Sequence, residues 1–465
     1  MKILPQKNRR IPVRTSLVTF GIALSMAAAL VAVPAASADG LPPSPGTVPV
    51  PGASIVGQQW LTQRTLELTV ASPSFTAPVK VEVILPTGYA TAAPAKGWPV
   101  TYYTDGTAGT QANFRALLNG EQLTASYPSI VVAPSGNSGY WSDWSNNGAG
   151  GPPMYETFVT QQLIPLIDAN FRTTADRSHR GILGGSMGGY GALMLAARHP
   201  DLFAAAASLS GAVDTNWAPG SAVLSVSPAL DLAIPDSIYG PRLTNEVTWR
   251  GHNPTDLAGN LSSLDLQLYT GNGIPGAQEL ANPLTALGCP VESGAIYPET
   301  QSLHGTLTGL GIRHTFSAYN WGCHTPEMFQ KQISEALPHF AEIYGKNVPA
   351  PTTFDYRSIE PSFSVFGWSV DTDPLRATEF LDLHDVSNTG FTVTGSGSTR
   401  ITTPPMYLGN KAVTVLIDGV AKGLRTDSSG RLTIPVTLGT PDQDQQYTLG
   451  AVTSRQTSVV SLPRR

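Results

Sequence analysis

From position 66 to position 344, short apolar runs alternate with stretches in which apolar residues recur at helical spacing. The runs at 79–85, 100–103, 130–133, 182–183, 204–209 and 264–269 read as strands, and the periodic stretches 157–170, 187–198 and 327–344 read as helices. Near-continuous apolar strands separated by helices predict a mostly parallel sheet covered on both faces, an α/β architecture. The reactive loops of such a sheet lie beyond the carboxyl ends of its strands. Around Val348-Pro349-Ala350-Pro351 the texture changes. Beyond it no helical period is sustained. Short alternating runs such as 412–417, an Asp418-Gly419 hairpin signal and a turn at Asp427-Ser428-Ser429-Gly430 predict a β-sandwich-like domain over 348–465. The α/β part is then 58–347.

The amino-terminal 38 residues have a different character. Lys2, Lys7, Arg9, Arg10 and Arg14 precede an apolar run from Leu17 to Val33, and Ala36-Ser37-Ala38 supplies the small residues of a cleavage site. An export signal over 1–38 is expected rather than a membrane anchor. Gly21, Ser25 and Pro34 interrupt the apolar stretch, and no basic stop-transfer cluster follows. The exported chain would have no stable membrane span and would be secreted or held in the cell envelope. Residues 39–57, with Leu41-Pro42-Pro43-Ser44-Pro45-Gly46, read as an extended leader. The signal holds five basic and no acidic residues, so its removal takes the net charge of -5 to about -10. An acidic chain of this kind is not expected to bind nucleic acid.

Candidate chemistry begins at Gly184-Gly185-Ser186-Met187-Gly188, a GxSxG pentapeptide between an apolar run and a helix. A serine held at a sharp strand-to-helix turn projects its hydroxyl out of the sheet, and side chains at the flanking glycines would collide with neighbouring backbone. Tyr190, Leu193, Met194 and Ala197 follow at helical spacing until His199-Pro200 stops the helix. A serine needs a histidine base and a carboxylate to orient that base, in the chain order Ser, acid, His on this kind of sheet. Among the later histidines, His199 ends the serine's helix, His304 and His339 fall in helical patterns, His314 opens a strand, His252 has no distinguishing context, and His384 lies in the β part. His324 follows the strand at 315–319 through Asn320-Trp321-Gly322-Cys323 and precedes the last helix of the α/β part, which makes it the candidate base.

The strand at 264–269 runs into Gly271-Asn272-Gly273, with no carboxylate where the acid commonly sits. Glu279, Glu292 and Glu299 remain, each of which also reads as a solvated surface glutamate. In an exported chain with two cysteines, a Cys289–Cys323 disulfide is the leading expectation. It would bring Glu292 into the neighbourhood of His324, so Glu292 is the favoured acid and Glu299 the second choice. For the oxyanion of a tetrahedral intermediate, the backbone N–H of Met187 opens a helix directly after the serine. The N–H of Thr107, in the loop Asp105-Gly106-Thr107 after an early strand, is the second candidate; the alternative is that Asp105-Gly106 only makes a turn. No cluster at metal-ligand spacing and no phosphate-cradling loop appears, so neither metal nor cofactor is expected.

Besides the serine turn and Asp105-Gly106, the chain contains Tyr140-Trp141-Ser142-Asp143-Trp144, Tyr239-Gly240-Pro241, the Asn253-Pro254-Thr255 turn and Thr270-Gly271-Asn272-Gly273. Together these resemble the secreted mycolyltransferases, antigen-type trehalose acyl carriers within a broader esterase group of α/β hydrolases. The resemblance spans most of 58–347 and leaves the β part uncovered. It implies an α/β-hydrolase fold and transfer of a long-chain, mycolyl-like acyl group between ester-linked acceptors of the cell envelope through an acyl-serine. The substrate would be an acyl ester or glycolipid. The family's acid falls on Glu292, allowing one inserted residue, and its histidine on His324. Asp105, which the family uses at the sugar site, is present. The family's arginine and tryptophan near the sugar are Ala108 and Pro326 here, so trehalose recognition does not carry over residue by residue. A carboxylesterase with water as acceptor is the alternative, and a wall-binding protein with a vestigial hydrolase is a third class.

Overall fold

The structure, a computed structural model, describes residue 41 and residues 44–91, 94–282 and 284–463. The expected export signal, 1–38, lies outside the described residues, as do 39–40 and 42–43 of the expected leader.

Among the described residues, nine strands form the central sheet: β1 (Ser54–Trp60), β2 (Thr65–Ala71), β3 (Val79–Ile84), β4 (Val100–Thr104), β5 (Ile130–Pro134), β6 (Arg180–Gly185), β7 (Ala205–Leu209), β8 (Asp265–Thr270) and β9 (Thr315–Ala318). Their order is β1-β2-β3-β5-β4-β6-β7-β8-β9. The pairs from β1 to β5 are antiparallel, and those from β5 through β4 to β9 are parallel. This is an α/β-hydrolase sheet. Successive residues of a strand point to opposite faces. Tyr102 and Ile182 therefore pack with Met187, Leu193 and Met194 of the helix Met187–Arg198. Their neighbours Tyr103 and Leu183 pack with Ile333, Leu337 and Phe340 of the helix Pro326–Lys346. Both faces are covered, which is why the strands read as continuous apolar runs rather than alternating ones.

The pattern misses some elements. β1 begins inside the expected leader, because its strand Ser-Ile-Val-Gly-Gln-Gln-Trp buries only Ile55 fully and carries little apolar signal. The expected helix at 157–170 is a π-helical turn Phe158–Leu163 followed by Ile164–Asn170, with Pro165, which lacks an N–H, just past the widened turn. The helix Tyr297–Gly309 was outside the expected set; its fully buried residues include the polar Glu299 and Thr300, so no apolar stripe marks it.

Beyond residue 353 the chain forms two further sheets from β10 (Phe354–Ser358), β11 (Ser362–Val365), β12 (Trp368–Asp371), β13 (Leu381–Ser387), β14 (Gly390–Gly395), β15 (Gly397–Thr402), β16 (Ala412–Ile417), β17 (Val420–Arg425), β18 (Thr433–Leu438) and β19 (Gln456–Ser461). Their orders are β10-β13-β14-β19-β16-β17 and β11-β12-β15-β18. Val370, Leu383, Val393, Ile434 and Val460 share one apolar cluster between them. Asp418 and Gly419 have φ values of 51° and 80° and join β16 to β17, the two positive-φ positions that a tight hairpin turn requires.

Candidate active site

Ser186 sits between β6 and the helix Met187–Arg198 at φ 58° and ψ -125°, a conformation that most side chains avoid. The turn is this tight because β4 runs alongside. A Cβ on Gly184 would stand 2.1 Å from Thr104 Oγ1, and one on Gly188 would stand 1.9 Å from the Thr104 carbonyl oxygen. The Ser186 N–H donates to the Leu209 carbonyl at 3.0 Å, which fixes the turn to β7.

Ser186 Oγ lies 2.8 Å from His324 Nε2, and His324 Nδ1 lies 2.8 Å from Glu292 Oε2. The ionised carboxylate accepts, so Nδ1 carries the proton and Nε2 is left to accept from the serine hydroxyl. Glu292 is fully buried. Its other oxygen, Oε1, is reached by Ser210 Oγ at 2.8 Å, Thr270 Oγ1 at 2.9 Å and the Gly271 N–H at 2.8 Å. The position beyond β8 that lacks a carboxylate thus supplies donors to a carboxylate arriving from elsewhere. Cys289 and Cys323 are joined in a disulfide with their Cα atoms 4.2 Å apart. Beside them, a Cβ on Gly288 would stand 2.3 Å from the His324 carbonyl oxygen, so the acid's segment and the histidine's loop meet backbone to backbone. Phe329 meets the His324 ring edge-on at 5.0 Å.

The loop after β4 lies against the serine: a Cβ on Gly106 would be 3.4 Å from Ser186 Cβ and 3.9 Å from its Oγ. Thr107 follows in that loop and is exposed. Met187 is the first residue of its helix, where backbone N–H groups lack partners within the helix. Asp105 is buried. Its Oδ1 accepts from the Gly106 N–H at 2.8 Å, and its Oδ2 makes no hydrogen bond. Burial pushes its carboxyl up to about 7 against the opposing pull of Gly106 and Asn113.

The other two glutamates are elsewhere, and neither they nor Glu292 are solvated, contrary to the surface reading of the sequence. Glu279 accepts from Gly276 N–H at 2.9 Å and Cys323 N–H at 3.4 Å. Glu299 accepts from Asp214 N–H at 3.3 Å, and burial holds its carboxyl well above the usual range against the pull of that bond. His199 bonds Glu156 at 2.7 Å, His304 bonds His314 at 2.7 Å, and His339 and His384 are exposed. Of the residues around the acid, Thr270 lies in the Thr270-Gly271-Asn272-Gly273 segment, whereas Ser210 and Gln332 carry no motif; nothing in a sequence marks a serine or glutamine whose partner is many residues away. Among the described residues no group of three or more metal-ligating side chains is gathered, and no helix is long and apolar enough to cross a membrane.

Residues 72–340, well over half of the chain, match the sequence family described as "Putative esterase". The chain belongs to this esterase family. All of Ser186, Glu292 and His324 fall within the family match. The chain is 33% identical over 238 residues to Esterase Rv1288 of Mycobacterium tuberculosis, covering 46% of this chain and 50% of that one. It is 28% identical over 228 residues to the diacylglycerol acyltransferase/mycolyltransferase Ag85A of Mycobacterium leprae, covering 47% and 66%. The chain thus spans about half the length of the first curated relatives it matches. Among solved structures, Mycobacterium tuberculosis MPT51 aligns with 60% of this chain and 97% of its own at 20% identity and a TM-score of 0.48.

Proposed function

We propose that this chain is an exported serine acyltransferase that moves a long-chain, mycolyl-like acyl group between ester-linked acceptors of the cell envelope. The observation that carries the reading is the continuous hydrogen-bonded chain from Ser186 Oγ through His324 to Glu292, ending in a buried carboxylate. In the first half, His324 Nε2 takes the proton as Ser186 Oγ attacks the ester carbonyl carbon. The carbonyl oxygen becomes an oxyanion, received by the N–H groups of Met187 and Thr107. Collapse breaks the ester bond, and His324 returns the proton to the departing alcohol, which leaves an acyl-serine. In the second half an acceptor hydroxyl gives its proton to His324 and attacks the acyl carbon, releasing Ser186 and a new ester. Glu292 holds the imidazole in the required tautomer and stabilises its charged form throughout. No cofactor enters. Asp105, buried beside the serine loop, is the candidate contact for a polar acceptor.

Hydrolysis is the second reading, favoured by a relative named as an esterase and by Ala108 and Pro326 at the positions of the acyl carriers' sugar contacts. The two share the acyl-serine and differ in whether the acceptor outcompetes water. Purified protein given a trehalose mycolate donor and an excess of isotopically labelled free trehalose is expected to form a labelled ester. Free acid as the only product would establish the hydrolase instead. Failure of a fluorophosphonate probe to label Ser186 would overturn both. We read 58–347 as the catalytic part and 348–465 as a β domain outside the chemistry.

A further inference from the structure

The carboxylate that faces His324 is unusual in how it is held. The ionisable side chain that bonds it among the described residues is His324. The rest of its shell is made of neutral donors brought by three separate elements: Ser210 directly after β7, Thr270 and Gly271 at the end of β8, and, one step out, Gln332 of the helix Pro326–Lys346. All of the side chains involved are buried: Ser210, Thr270, Glu292 and Gln332 are each 0% exposed. Ser210 and Thr270 bond Glu292 Oε1, and Gln332 Nε2 bonds Ser210, while Gln332 Oε1 is buried without a hydrogen bond, so it is through its donor end that Gln332 joins the shell.

The direction of the hydrogen bonds follows from counting protons. A serine hydroxyl has one proton to give. Gln332 Nε2 lies 2.8 Å from Ser210 Oγ and can only donate, so it occupies a lone pair on that oxygen. The Ser210 proton is then free for Glu292 Oε1, 2.8 Å away on the other side. Thr270 Oγ1 chooses between the Gly271 carbonyl and Glu292 Oε1, both at 2.9 Å, and the ionised acceptor forms the stronger bond. Oε1 thus takes three donors, and Oε2 is left to His324 alone. Ser210 keeps this place at a backbone φ of 43°, with its N–H donated to the Tyr269 carbonyl at 2.8 Å.

We propose that Ser210 and Gln332 are positioning residues, a relay that saturates Glu292 Oε1 and thereby fixes both the rotamer of Glu292 and the tautomer of His324. The proposal rests on the acyl-serine reading above. It also accounts for an acid that comes from the segment at 292 rather than from the end of β8. The end of β8 and the start of the β7 loop have become the socket for a carboxylate delivered by another element, and the helix after the histidine loop closes it.

The consequence is readable in pH. The titratable group that faces Glu292 is His324, and the other contacts are neutral. Removing a donor from Oε1 concentrates charge on the carboxylate, which strengthens proton binding by His324. The acid limb of kcat/KM therefore moves to higher pH. The test uses the full chain with p-nitrophenyl butyrate, measuring kcat, KM and the pH profile for Ser210→Ala, Ser210→Gly and Gln332→Met. Ser210→Gly relieves the positive φ while deleting the hydroxyl, and Gln332→Met keeps side-chain volume while deleting the donor. Both serine variants are expected to lose about tenfold in kcat with KM little changed. Gln332→Met should lose somewhat less, and all three acid limbs should rise by about half a unit to one unit. If Ser210→Gly keeps the wild-type kcat, or if the acid limbs stay in place, the relay is overturned. Ser186→Ala is run alongside. If it retains turnover the acyl-serine reading itself falls, whereas loss of turnover in Ser186→Ala with wild-type behaviour in the other three overturns the relay alone.

Discussion

Glu292 and Glu299 are both buried on one helical stretch, and what reaches their oxygens separates them. Glu292 receives three donors on one oxygen and the imidazole on the other. Glu299 receives one long bond from the Asp214 N–H, and its Oε1 makes no hydrogen bond. Burial lifts its pKa well above the usual carboxylate range, against the pull of the bond from the Asp214 N–H. Its one hydrogen-bond donor is a backbone N–H, so it is not placed as the charged partner of an imidazolium. Glu292→Gln is therefore expected to lower kcat by about 10³- to 10⁴-fold, because an amide neither stabilises the imidazolium nor enforces its tautomer. Glu299→Gln should stay within a few-fold of wild type. Steady-state kinetics on one aryl ester checks both, and the reverse ranking would move the acid to Glu299.

The disulfide belongs to the scale of elements, because it joins the segment that carries the acid to the loop that carries the histidine across a sequence separation of 34. Closing a loop of that length stabilises by roughly 3 to 4 kcal/mol in the chain-entropy account. Replacing both cysteines by alanine is expected to lower the unfolding free energy by about that amount and to reduce kcat more than it raises KM, since the acid and base lose their common tether. Denaturant titration and kinetics read the two effects, and an unchanged kcat would show that packing alone sets the geometry. The same elements mark where sequence patterning was informative. β4, β5, β6 and β7 are buried on both faces and the helix Met187–Arg198 is buried on all sides, so their apolar composition announces them. The helix Tyr297–Gly309 and the strand Ser54–Trp60 bury few apolar side chains and rely on neighbours for their place. That Ser186, Glu292 and His324 come together was legible from the turn, the chain order and the expected cysteine pairing. The burial of the three glutamates was not, because the groups that satisfy Glu292 come from as far as 82 residues away.

On the scale of the whole molecule, the region around Glu156 ties the α/β part to the sheets beyond it. Arg198 bonds Glu156 at 2.8 Å on one side and Glu360 at 2.7 Å on the other, Tyr356 donates to the Arg198 carbonyl at 2.6 Å, and Ile359 and Phe380 belong to the apolar cluster of the central sheet. One calorimetric transition is expected for the α/β part and the sheets beyond it together, and Arg198→Met should lower its stability by about 3 to 5 kcal/mol by leaving a buried acid without its arginine. Two resolved transitions in the wild type would contradict this. His252 adds a pH term to the same network. Burial, with Arg198 adding, pushes its imidazole down to about 4, although Glu156 and Thr248 pull the other way. An unfolded histidine titrates near 6.5. Between those values the unfolded chain holds a proton that the folded chain does not, so this residue's contribution is intact above pH 6.5 and is lost as pH falls toward 4. Asp105 and Glu299 act oppositely: their folded carboxyls hold protons that the unfolded ones have released, so they favour the fold as pH falls across the same window. The pH slope of the wild type mixes these terms, and a difference isolates one of them. The stability of His252→Gln relative to wild type is expected to improve by about 2 kcal/mol between pH 7 and pH 5. Urea titrations of both proteins at the two pH values measure it. A difference that does not change with pH would mean that His252 binds its proton equally well in the folded and unfolded chain, with the Glu156 carboxylate balancing burial and Arg198.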